Sequence, residues 1–116
     1  MDDATRHIPL KPVDLQILLV LTEQDLHGYG IVKDIEARTE GQIRLEPGNL
    51  YRYIRRLESE GLVDEATTEA REPGEERRRY YTVTGLGRRV LQAEAARMRA
   101  LAAVVEAQLA TGRGTP

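Results

Sequence analysis

The stretch after Thr84 does most to limit what this chain can fold into. Leu91, Ala95, Met98, Ala102, Val105 and Leu109 recur at alternating spacings of four and three, and Leu101 and Val104 broaden the stripe. That rhythm is the seam of a coiled coil. With Thr84 as N-cap it predicts a helix over roughly residues 85–110, about 39 Å long at the usual rise per residue. In a chain of 116 residues the remaining body is too small to cover such a helix along its whole length. Burying each Leu, Val or Met is worth ~1.5–3 kcal/mol, so a bare seam would be costly. The seam therefore predicts a homodimer, with Leu91, Met98, Leu101, Ala102, Val105 and Leu109 facing a second copy. On this reading residues 84–111 form a dimerisation helix appended to a body of residues 10–83.

The body must build its core without Phe, Trp or Cys, from Leu, Ile, Val and Ala. Absence of Cys excludes disulfides, thiolate metal sites, iron–sulfur clusters and Cys nucleophiles. Ser occurs once, at Ser59; His7 and His27 are the only imidazoles and have no partner at metal-ligand spacing. No Gly-rich loop is arranged to cradle phosphate. The expectation is a non-enzyme with no cofactor and no metal, in which His27 caps the helix that follows it. No apolar run is long enough to span a membrane. The acidic start Met1-Asp2-Asp3 lacks a hydrophobic signal segment, which predicts a cytoplasmic protein.

Residues 1–9 show no periodicity and are expected to fray. Pro12 opens a dense apolar run to Leu21 that predicts a helix covered on most sides, with a stripe of Leu15, Leu18, Leu19 and Thr22 widened by Ile17 and Leu21. Gln24–Gly30 reads as a turn. A second helix, about Tyr29 to Thr39, carries Ile31 and Ile35 on one face and ends at Gly41. A third starts at Pro47-Gly48-Asn49, seats Leu50, Ile54 and Leu57 at i, i+4, i+7, and stops at Gly61 with Leu62 beyond it. Leu62–Thr68 and Arg77–Val83 read as two strands of a hairpin whose tip holds Pro73-Gly74. Alternation makes one of Tyr80 and Tyr81 a core residue.

Three short helices followed by a hairpin is a winged helix-turn-helix order. The fold class is mainly α with a small β-hairpin, plus the C-terminal helix. The net charge of −2 argues weakly against a nucleic-acid partner, but the charges are segregated. From Arg44 to Arg56 four Arg face one Glu, and screening confines charge effects to about 10 Å. The major groove admits one helix, and the third helix of this arrangement offers its exposed side to base edges. Asn49, Tyr51, Arg52, Arg55 and Arg56 lie on that side, and Arg77, Arg78 and Arg79 enter the second wing strand. These eight residues are the candidate contacts to double-stranded DNA. Arg55 or Arg56 has a competing reading as the partner of Glu46, Glu58 or Glu60. The wing arginines compete with Glu69, Glu72, Glu75 and Glu76 nearby.

Gly28-Tyr29-Gly30, Pro47-Gly48-Asn49-Leu50-Tyr51-Arg52, Leu57-Glu58-Ser59-Glu60-Gly61-Leu62 and Arg79-Tyr80-Tyr81-Thr82-Val83-Thr84 with Gly87 resemble the PadR family of bacterial transcriptional regulators. The likeness covers roughly residues 10–110 and is closest to the compact subfamily with a single helix after the wing. Asn49 departs from the pattern, since the family more often has Thr or Ser there. The resemblance implies a homodimer on a roughly palindromic operator, usually a repressor, with a DNA contact from Tyr51. In many members a small molecule relieves repression; an apolar effector would lodge near Leu15, Leu18 and Met98. The competing class is a winged-helix module that binds an acidic protein partner without specific DNA binding.

Overall fold

The computed structural model describes residues 3–66 and 79–112. Its first helix, α1 (Pro12–Leu21), begins where Pro12 fixes the backbone after an extended Lys11. The apolar run gives this helix no obvious inward face, and the structure chooses one. Asp14, Ile17, Leu18, Val20 and Leu21 are buried, whereas Leu15 is half-buried and Leu19 is 38% exposed. Of the expected stripe, Leu18 with the flanking Ile17 and Leu21 faces the core, whereas Leu15 and Thr22 are half-buried and Leu19 is turned outward.

Helix α2 (Gly28–Arg38) follows a two-residue strand, β1 (Leu26–His27). The His27 Nδ1 accepts the Gly30 amide at 3.1 Å and caps α2, as the sequence predicts. The α2 end turns on Glu40 and Gly41, both at positive φ, and the Gly41 amide donates back to the Glu36 carbonyl at 2.8 Å. Helix α3 (Pro47–Ser59) buries Leu50, Ile54 and Leu57. It closes with the Leu62 amide on the Leu57 carbonyl at 2.9 Å and Gly61 at φ 79°, the expected Schellman end.

Two further strands, β2 (Val63–Glu65) and β3 (Tyr80–Val83), complete a three-stranded antiparallel sheet of order β1-β3-β2. The wing is thus a hairpin with an extra edge strand, where the sequence reading had a turn. Two residues are too few to carry a period. The predicted tip at Pro73-Gly74 lies outside the described residues. Both Tyr80 and Tyr81 are buried, not one of the pair. Tyr81 joins the main core, and Tyr80 meets the His27 ring edge-on at 5.2 Å between centroids.

Helix α4 (Gly85–Thr111) is rooted at a single joint. Thr84 Oγ1 accepts the Gly87 amide at 3.0 Å and donates to the Gly61 carbonyl at 2.6 Å. Gly87 is required there, because a Cβ would sit 2.4 Å from the Leu62 carbonyl oxygen and 2.7 Å from Val83 Cγ2. The first third of α4 belongs to the body through Gly87, Val90 and Glu94. The segment expected to fray instead forms a 3₁₀ turn, Asp3–His7, that packs Ala4 beneath α4. The Leu10 amide then donates to Glu94 Oε2 at 2.8 Å, and Arg97 Nε donates to Glu94 Oε1 at 2.6 Å. These hydrogen bonds, Arg97's first, hold the buried Glu94 carboxyl below its ordinary pKa. Beyond this point α4 is exposed. Among the described residues no helix is long and apolar enough to cross a membrane.

Candidate nucleic-acid interface

The exposed surface of α3 divides into two stripes because its core stripe, Leu50–Ile54–Leu57, occupies the third side of the helix. Tyr51, Arg55 and Glu58, at i, i+4, i+7, face the sheet. Arg52 and Arg56 face the start of α1, and Asn49 lies one turn before Arg52. The two stripes have different electrostatics.

On the sheet side, Tyr51, Ile54, Arg55 and Glu58 line a cleft of about 550 Å³ with His27, Gly28, Tyr29, Arg79 and Tyr81. Tyr51 is 41% exposed and held by its contact with α2: a Cβ on Gly28 would lie 2.8 Å from the Tyr51 hydroxyl. Arg79 is exposed, with Glu65 3.8 Å away. Glu58 is half-buried, and burial, followed by the charges of Glu65 and Asp64, raises its pKa against the opposing pull of Arg79 and Arg55. The two cations of this cleft are therefore matched by nearby acids.

On the α1 side, Lys11, Arg52, Tyr53 and Arg56 line a shallower groove of about 190 Å³. Arg56 Nη1 and Nη2 donate to the two Asp14 carboxylate oxygens at 2.9 and 2.7 Å, a bidentate fork on a side chain only 4% exposed. This hydrogen bonding, with the Asp14 charge, raises the Arg56 pKa. The anticipated acid partner is thus Asp14, from 42 residues earlier in the chain, rather than Glu46, Glu58 or Glu60. With Arg56 engaged inward, Lys11 and Arg52 carry the outward charge of the groove. Arg52 is exposed, and its Nη2 donates to Asn49 Oδ1 at 3.0 Å. Asn49 lies in the first turn of α3 and braces Arg52; the N-cap itself is Glu46, with no side-chain cap. Lys11 is absent from the sequence-predicted set, although its place before Pro12 marks it as the N-cap of α1.

Of the predicted wing contacts, Arg79 is placed at the cleft, and Arg77 and Arg78 lie outside the described residues. Of the predicted dimer residues, Leu91 packs partly against its own body. Met98, Leu101 and Val105 are 42–52% exposed, Leu109 is 78% exposed, and Ala102 is exposed as well. The three residues expected to hold an effector do not line either cleft: Leu18 is fully buried, Leu15 half-buried, and Met98 stands on the open part of α4.

Residues 17–93 match the model of the transcriptional regulator PadR-like family. An uncharacterized protein of Lysinibacillus sphaericus is 30% identical over 79 residues, which cover 68% of this chain and 71% of that protein. The crystal structure of a PadR family transcription regulator from Clostridium difficile R20291 superposes with a TM-score of 0.68 at 26% identity, over 85% of this chain and 99% of that one. Bacillus subtilis PadR in complex with operator DNA shares the fold at a TM-score of 0.58 and 20% identity, over 72% of this chain and 46% of that one. The family match runs from α1 into α4 and so takes in the whole helix-turn-helix and its wing; the chain belongs to the PadR-like family of transcriptional regulators.

Proposed function

We propose that the protein is a sequence-specific DNA-binding regulator that acts as a homodimer on a two-fold operator. The observation that carries this reading is the cationic groove between α3 and the start of α1, where Arg52 and Lys11 have no salt bridge among the described residues while the core stripe anchors α3. Arg52, braced by Asn49, is the base reader. Lys11, Arg55 and Arg79 grip phosphates, and Tyr51 packs against the backbone beside them. Arg56 holds α3 to α1. The exposed seam Met98–Leu101–Val105–Leu109 joins the two copies, which sets the α3 helices about 34–36 Å apart, one turn of duplex. Occupying a promoter in this way makes the protein a repressor, and a small apolar effector would act at the joined α4 seams rather than in a preformed cavity.

Selection from a random duplex pool tests the proposal. A two-fold sequence should emerge, and Arg52→Ala should weaken binding to it by ~1–3 kcal/mol. If these three cations of each protomer each neutralise a phosphate, affinity falls with a logarithmic salt slope of roughly −5 for the dimer. No preference over random duplex at low salt would refute it and leave the surface to a protein partner.

A further inference from the structure

Glu58 sits in the α3–sheet cleft where a DNA-binding surface has least use for an acid. It shares a helical stripe with Tyr51 and Arg55, and lines the same cleft as Arg79. It is half-buried, and among the described residues its carboxylate has no salt-bridge partner within 4.0 Å. Among the described residues, then, no direct ion pair offsets the cost of its burial. Its neighbours are Arg55 on α3, Arg79 ahead of β3, Asp64 and Glu65 on β2, and the Tyr81 ring. Of these, only the two arginines attract it, and they are the cleft's candidate phosphate contacts.

We propose that Glu58 limits the sequence-independent grip of this face on a duplex, its carboxylate holding back the pull of Arg55 and Arg79 on backbone phosphate. The proposal rests on the DNA-binding reading above. Phosphate contacts carry no sequence information, so this restraint lowers affinity for every duplex alike. It leaves discrimination to Arg52 on the other stripe, which has no salt bridge among the described residues and is braced by Asn49. Excess non-specific affinity would hold a regulator on the wrong DNA, so a built-in brake favours the operator in a competition among many sites.

The test compares the intact protein with Glu58→Gln and Glu58→Met on a random-sequence duplex, across a salt series. Glu106→Gln, on the exposed end of α4, serves as the charge control. Removing the carboxylate should raise random-duplex affinity about three- to tenfold near 50 mM salt. The salt slope should steepen by up to about 0.9 per protomer. The control should change neither, and urea midpoints should show that both Glu58 variants stay folded; Met, of similar length, suits the Ile54 and Tyr81 side of the cleft if Gln does not. Affinity and slope that match the unaltered protein in whichever variant folds would overturn the proposal and leave the DNA-binding reading standing. An unaltered protein that binds no duplex at all would overturn both.

Discussion

Replacing Arg56 by Ala separates a structural arginine from a DNA-reading one. The substitution removes both hydrogen bonds to Asp14, at 2.7 and 2.9 Å, and leaves a carboxylate that is 4% exposed without its cation. Removing one partner of a fully buried pair costs ~3–5 kcal/mol. Here the guanidinium is 36% exposed, so water reaches the vacated side, and Asp14 keeps its favourable place in the first turn of α1. The expected loss is about 2–3 kcal/mol. The contact of Arg56 with the Tyr53 ring, 5.7 Å from the centroid, adds about 0.5 kcal/mol at this exposure. Urea unfolding at fixed protein concentration measures the loss. Asp14→Asn combined with Arg56→Leu should recover more than half of it, since no buried charge is then stranded. Operator affinity of the folded Arg56→Ala protein should fall less than threefold. A loss of stability under about 0.5 kcal/mol with a tenfold loss of operator binding would refute the assignment and return Arg56 to the DNA-reading set.

Leu101→Asp with Val105→Asp should leave the body folded but convert the protein to a single subunit in sedimentation at micromolar concentration. Operator affinity should drop by more than about a hundredfold as the second half-site becomes a separate binding event. Gly87→Ala forces α4 away from the Leu62 carbonyl and Val83, and should cost ~1–3 kcal/mol in urea unfolding despite the better helix propensity of Ala. Glu94 has a folded pKa below its unfolded value, so the stability it contributes is present above the ordinary carboxylate range and is lost as pH falls through the folded pKa. Glu94→Gln should therefore lower stability at pH 7 and flatten its decline in acid below about pH 4.5, read as the difference between the two proteins' unfolding curves.

The helix boundaries were legible because each has local chemistry: Pro12 and Pro47 at starts, Gly41 and Gly61 at ends, Thr84 before α4. The face of α1 was legible only at Ile17, Leu18 and Leu21, because an almost wholly apolar helix has no polar side to orient it, and its neighbours decide the rest. The two-residue β1 and the docking of Ala4 under α4 depend on contacts remote in sequence. At the interface, the arginine-bearing side of α3 was visible from the spacing of Leu50, Ile54 and Leu57. Which of its arginines are matched by acids, and which are left to face outward, was not. That distinction needs Asp14 placed against Arg56, and Glu65 against Arg79.

Thr84 ties the end of α3, the close of the wing and the root of α4 into one hinge-free corner. A rod fixed this way at one end behaves as a crank. In an assembly built on the distal half of α4, any change in how the two rods cross would swing the α3 helices closer together or farther apart, out of step with the pitch of the duplex. Command over DNA would then rest on an angle set tens of ångströms away, with no side chain at the groove altered.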